Sequence, residues 1–226
     1  MDQFDKILTN HFRLTDRQLT LFRRYHDYLI KWNEKMNLTA IKDKIGVYHK
    51  HFVDSLMLSH FLGLNEQTLL DVGSGAGFPS IPLKILHPNL KVTIIDSLQK
   101  RITFLENLSE YLDLDIKLIH GRVEKHQNKN NYDIVTARAV ARLNKLCELC
   151  LPFVRKNGRF YAYKGSRFQA ELEESTKALE TLNAKVENTF TYTVLEEKHT
   201  IIEISKHRST DKKYPREFKK IKSNPL

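Results

Sequence analysis

Apolar positions along the chain follow two different rhythms, and the change falls near residue 66. In the first part they recur at helical spacing. Leu19, Phe22, Tyr25, Leu29 and Trp32 lie on one face, a period of three to four that marks an amphipathic helix. Thr15 followed by Gln18 has the form of a capping box that would start it. After the polar stretch Asn33–Thr39 the pattern predicts a further helix over 47–62, with Gly63 placed to end it. From residue 68 short apolar runs alternate with helical segments. The runs predict strands over 68–72, 91–95, 116–120, 132–137, 158–163, 185–193 and 199–205, with helices over 79–87, 99–112, 142–150 and 168–183. Such alternation implies a parallel sheet covered on both faces. Only a short turn separates the last two runs, so they are expected to pair antiparallel. The expected fold class is α/β, a doubly wound seven-stranded sheet with an N-terminal helical extension. The expected divisions are a helical cap over 1–64, a sheet domain over 65–207 and a basic C-terminal tail over 208–226.

The first βα junction carries the candidate chemistry. Residues 69–79 read LLDVGSGAGFP, and Asp96 ends the apolar run Val92–Ile95, nineteen positions after Gly77. A glycine-rich turn leaving a buried strand, followed by an acid at the end of the next strand, is how such sheets hold an adenosine-bearing cofactor. Glycines admit positive φ and let a ligand approach the backbone, while the carboxylate accepts hydrogen bonds from ribose hydroxyls. The spacing Gly73-x-Gly75-x-Gly77 lacks the extra residue of the dinucleotide fingerprint. It favours S-adenosylmethionine, which has no pyrophosphate, and the terminal hairpin belongs to the class I methyltransferases that use it. A nicotinamide-dependent oxidoreductase on the same sheet is the alternative, and a non-catalytic RNA-binding protein is a third reading.

Composition narrows the setting. The 226 residues are 41% hydrophobic, enough for one large domain and against disorder. No apolar run approaches the roughly 18–20 residues needed to span a bilayer, so no membrane association is expected. The start, MDQFDKIL, resembles no secretory or transit peptide. With two cysteines, a reduced cytoplasmic location is expected. Nothing in the sequence demands more than a monomer. The net charge of +10 is unevenly placed: residues 206–226 hold eight Lys/Arg against two Asp/Glu. A basic tail favours a polyanionic partner through counterion release, against the plainer reading of a solvated surface. Cys147 and Cys150 stand three apart on a predicted helix with no second pair, which reads as packing, and no metal site is expected. His49, His51 and His60 read mainly as interface histidines.

A set of strings in fixed order gives the chain a family likeness. WNEKMNLT at 32–39, HFVDSL at 51–56, DVGSGAGFPSIPL at 71–83, DSLQKRITFL at 96–105, GRVE at 121–124, ARAVA at 137–141, YKG at 163–165 and YPR at 214–216 together resemble the small-subunit ribosomal RNA methyltransferases once called glucose-inhibited division protein B. The likeness runs over essentially the whole chain. Ser80 and Ala137 depart from the residues the family usually carries, and Lys219 and Ile221 stand at a Gly and a Pro position of its C-terminal motif. The resemblance implies methyl transfer from S-adenosylmethionine to N7 of one guanine in 16S ribosomal RNA, with that RNA or the small ribosomal subunit as partner. It also implies that Gly73, Phe78, Val123, Glu124 and Arg138 contact the cofactor.

Purine N7 bears a lone pair and no proton, so this transfer needs neither a general base nor a metal. Alignment and electrostatics carry it. The expected cofactor set is Gly73, Gly75, Gly77, Phe78, Asp96, Val123, Glu124 and Arg138. Asp71 either caps the turn after the first strand or meets the cofactor's ammonium. Lys100, Arg101, Arg122, Arg142, Lys164 and Arg216 are expected to meet RNA, because ligands gather at the carboxyl ends of the strands. Arg138 and Lys164 are the expected substrate-positioning residues, and Phe78 is a candidate surface for stacking the target base.

Overall fold

A computed structural model describes residues 2–226, so Met1 of the expected 1–64 cap lies outside the described residues. Seven strands form one sheet: β1 (Thr68–Val72), β2 (Lys91–Asp96), β3 (Ile116–His120), β4 (Tyr132–Arg138), β5 (Val154–Gly165), β6 (Ala184–Val194) and β7 (Glu197–Lys206). Their order is β3-β2-β1-β4-β5-β7-β6. The first five are parallel, and β7 runs antiparallel between β5 and β6. The doubly wound sheet and its closing hairpin are as the hydrophobic pattern predicts. The pattern leaves open which hairpin strand lies inside. It is β7, whose Ile201, Ile202 and Ile204 are fully buried, whereas β6 alternates apolar and exposed side chains as an edge strand does.

Alternate residues of each central strand feed two separate cores. Leu69, Ile94, Ile134, Tyr161 and Ile201 point to one face, and Leu70, Ile95, Val135, Ala162 and Ile202 to the other. The central strands therefore read as unbroken apolar runs. The first face is covered by helices Ser80–Leu86 and Gln99–Leu112 and by the N-terminal helices, whose Phe22, Tyr25, Leu29 and Phe52 are buried in the same core. Helix Leu143–Cys150 and the C-terminal segment cover the second face.

Several elements differ from the expectation. The helix expected over 47–62 is a composite of an α-turn Lys44–Gly46, a π-helical stretch Val47–Val53, a turn Asp54–Leu56 and a 3₁₀ turn Met57–His60. The wider turn brings His51, Asp54 and Ser55 together on Arg138, and these contacts hold the irregularity that a 3.6-residue period cannot foresee. The helix expected over 168–183 is two, Phe168–Glu174 and Thr176–Thr181. They part at Ser175, a fully buried residue whose hydroxyl donates to Glu171 O at 2.5 Å, in competition with the helical ladder. β5 begins four residues earlier than expected, with a register irregularity opposite Tyr132 and Ile134. Trp32 meets Phe104 edge-on at 5.7 Å, so it joins the cap to helix Gln99–Leu112.

Candidate active site

The carboxyl ends of β1, β2 and β4 open onto a cavity of about 680 Å³. One wall is the turn after β1. Gly73, Gly75 and Gly77 take φ of +72°, +63° and +100°, a region L-residues avoid. The surroundings explain each glycine differently. A Cβ at Gly77 would lie 2.6 Å from Ile81 Cδ1 and one at Gly73 2.9 Å from Val140 Cγ2, whereas one at Gly75 would meet nothing within 4 Å. Gly75 thus borders free space, the room a ligand needs beside the backbone. Tyr25 of the cap donates to Ala76 O at 2.5 Å and fixes the turn from outside.

Asp96 stands at the end of β2 across the cavity. Its carboxylate accepts from Leu98 N at 2.9 Å and from Arg101 Nη1 at 3.1 Å. Gly121, Arg122, Val123 and Glu124 form the wall after β3. Glu124 is held by Arg122 Nε at 2.5 Å, and the Arg122 guanidinium lies 4.1 Å from the centroid of Phe218. Asp71 is fully buried and does not border the cavity. It accepts from Ser80 N at 3.3 Å, a cap on helix Ser80–Leu86, and burial pushes its carboxyl up to about 7. Ser80, the departure from the family string, therefore lies in the core behind the turn.

Arg138 is the hub of the fourth wall. Its guanidinium donates to Lys50 O at 2.7 Å, Ser55 Oγ at 3.0 Å and His51 Nδ1 at 3.0 Å, and it pairs with Asp54 Oδ2 at 3.0 Å. With Nδ1 accepting, the His51 hydrogen sits on Nε2 and donates to Thr39 Oγ1 at 2.7 Å. Burial, aided by Arg138, lowers His51 to about 4, so the ring is neutral at pH 7. Asn33 clasps the same region through two bonds to the Thr39 backbone, at 2.8 and 2.9 Å. The polar stretch 33–39 is thereby tied to β4. The Asp54 carboxylate also accepts from Tyr192 at 2.8 Å and lies 3.0 Å from His199 Nδ1. Burial opposes its charge, but Arg138, His199 and Tyr192 outweigh burial and lower its pKa.

The eight residues expected at the cofactor divide by position. Gly73, Gly75, Phe78, Asp96, Val123, Glu124 and Arg138 line the cavity, while Gly77 supports the turn behind it. The basic residues expected on RNA are scattered. Arg101 and Arg122 line the cavity, each paired with an acid, and Lys100 is exposed outside it. Arg142 and Lys164 line a neighbouring cavity. Arg216 is turned inward, held by the fully buried Glu148 at 2.6–2.7 Å. Phe78 cannot offer a stacking face: it packs on His51 at 4.4 Å and Tyr25 at 5.5 Å and is 6% exposed. Cys147 and Cys150 are buried in the second core, where burial pushes Cys147 up to about 12. Sequence reasoning missed Phe218 and Lys222, which border the cavity from the C-terminal segment. It also missed Ala139, Val140 and Ala141, although the ARAVA string contained them. No signal in the tail announces Phe218.

The model of the rRNA small subunit methyltransferase G family matches residues 18–201. The chain belongs to that family. The proteins named ribosomal RNA small subunit methyltransferase G from Staphylococcus saprophyticus and Staphylococcus aureus strain Newman are 48% and 47% identical to it. Each match covers 98% of this chain and 95% or 96% of the relative. Solved structures bear on the fold alone. M. jannaschii TYW2, solved in complex with AdoMet, superposes with a TM-score of 0.59 at 15% identity, covering 75% of this chain and 79% of that one. A ribosomal protein L11 methylase from Lactobacillus delbrueckii superposes with 0.56 at 16%, covering 71% and 80%. Within this methyltransferase family the nicotinamide reading has no support, and no helix of the described residues is long and apolar enough to cross a membrane.

Proposed function

We propose that this chain transfers a methyl group from S-adenosylmethionine to N7 of a guanine in 16S ribosomal RNA, acting on the small ribosomal subunit or its RNA in the cytoplasm. The observation that carries the reading is the cavity bounded by the Gly73–Gly77 turn on one side and Asp96 on the other. The turn presents backbone, Gly75 leaves room for a ligand, and Asp96 keeps acceptor capacity for two ribose hydroxyls beyond its bonds to Leu98 and Arg101. Val123 and Glu124 are suited to the adenine edge. The cofactor supplies a sulfonium methyl, an electrophile that the N7 lone pair attacks directly. The remaining work is positional. The cap fixes the turn through Tyr25, and the locked Arg138 holds the β4 wall. Preorganised groups of this kind need no rearrangement during reaction.

Two measurements test the reading. Calorimetry with S-adenosylhomocysteine should give one site per chain, and NAD should give none. Mass-spectrometric mapping of 16S ribosomal RNA should find one 7-methylguanine that disappears from cells lacking the protein. An unchanged set of methylguanines would refute it.

A further inference from the structure

A second cavity, of about 490 Å³, lies against the first. The two share the segment Arg138–Ala141 and nothing else. That segment also packs on the glycine turn, with Val140 Cγ2 2.9 Å from where a Gly73 Cβ would be. We propose that this second cavity receives the target guanine, turned out of its RNA stack, with Glu171 accepting from the Watson–Crick edge. The proposal rests on the methyl-transfer reading above.

Place, size and lining all point to a nucleotide. The cavity adjoins the wall of the cofactor site at the ends of β4 and β5, and its volume falls in the range of small-ligand pockets. Tyr192 gives it an aromatic side, and the exposed Arg142 puts a cation at its rim. Flipped bases are held by such aromatic contacts, with cations on the flanking phosphates. Arg142 is half-exposed and forked onto Glu174 at 2.6 and 3.0 Å, an exposed pair of little net stability that a phosphate can displace.

The acids argue for guanine. Its N1–H and N2 amino group are neighbouring donors, a pair adenine does not present. Asp54 is already engaged by Arg138, His199 and Tyr192. Glu171 is engaged on one oxygen only: Oε2 accepts from Leu143 N at 2.7 Å and from Lys164 Nζ at 2.7 Å. Its Oε1 takes part in neither bond, and Glu171 lines the cavity. Lys164 is further fixed by Ala141 O at 2.7 Å, so the acid that would read the base is tied to the segment that lines both cavities. N1 and N2 lie across the purine from N7, and binding that edge leaves N7 unblocked.

Two variants test this in the full chain. Gly165 lines the cavity, and a Cβ there would meet nothing within 4 Å, so Gly165→Leu should fold normally and fill the base's space. Glu171→Gln keeps an acceptor for Leu143 N and removes the charge. Each is assayed by calorimetry with S-adenosylhomocysteine and by methyl transfer to small subunits from cells lacking the protein. Both should bind the analogue within about twofold of wild type. Transfer should fall by roughly 100-fold or more in Gly165→Leu, and kcat/KM by roughly tenfold or more in Glu171→Gln, the scale of one hydrogen bond to a charged acceptor. Transfer at the wild-type rate in both variants overturns the inference. So does loss of analogue binding in step with transfer, because the cavity would then serve the cofactor. A wild-type chain that binds the analogue yet methylates no guanine overturns the functional reading instead.

Discussion

At the scale of single residues, the three glycines of the turn carry different burdens. Gly75→Ala should cost roughly 1 kcal/mol for the left-handed backbone, a few degrees of melting temperature. Its methyl enters the cofactor's space, so affinity for S-adenosylhomocysteine should drop about tenfold or more by calorimetry. Gly77→Ala should reverse the balance, with a larger loss of stability in thermal melts because its Cβ meets Ile81 and the Tyr25 hydroxyl. Equal effects of the two on binding would contradict this division. Asp71 supplies a pH signature. Its carboxyl is raised from 3.8 to about 7 by burial, so the folded state holds a proton that the unfolded state has lost. The associated stability is complete below the unfolded value and is lost as pH rises through about 7. His51, lowered from 6.5 to about 4, acts in the opposite sense: its contribution is present above 6.5 and is lost as pH falls toward 4. Asp71→Asn mimics the protonated acid and isolates the first effect. Urea melts should show the variant gaining about 2 kcal/mol on wild type between pH 5.5 and 8, and a pH-independent difference would show that Asp71 does not titrate there.

At the scale of elements, the C-terminal segment changes most on going from sequence to structure. Eight basic residues in its last stretch read as a solvated or RNA-facing tail, yet Tyr214 and Ile221 are buried and Arg216 grips Glu148. This anchorage sets Phe218 beside Arg122 and brings Lys222 to the cofactor cavity. Removing one partner of a buried pair costs about 3–5 kcal/mol. Arg216→Ala should therefore lower the melting temperature by roughly 10 °C for a chain of this size and weaken S-adenosylhomocysteine binding as Phe218 loses its seat. Retained melting temperature with retained affinity would place the segment outside the folded unit. The 44–60 segment is the second such element. Its π-helical turn makes sense only with Arg138 in place, a contact between residues 83 or more apart in sequence.

At the scale of the whole molecule, the sheet brings chemistry from distant stretches to one edge. The turn after β1, Asp96 after β2, the GRVE stretch after β3 and Arg138 after β4 meet because parallel strands present their carboxyl ends together. Much of this was legible. Glycine spacing, the position of Asp96 and the alternation of runs are local or periodic features, so they survive without knowledge of packing. The basic rim was less legible. Charge along the sequence does not say which cations are already paired, and Arg101, Arg122, Arg138, Lys164 and Arg216 each have an acid at 2.5–3.1 Å.

The sequence alone determined the two-faced sheet, because continuous apolar runs between amphipathic helices have one economical way to be buried. It also determined the glycine turn with its acid, because these depend on backbone freedom and strand register. Only tertiary structure decided the inner place of β7, the break at Ser175, the inward turn of Arg216 and the second cavity beside Val140. Each of these depends on contacts between residues far apart in the chain, whose energies no local pattern records.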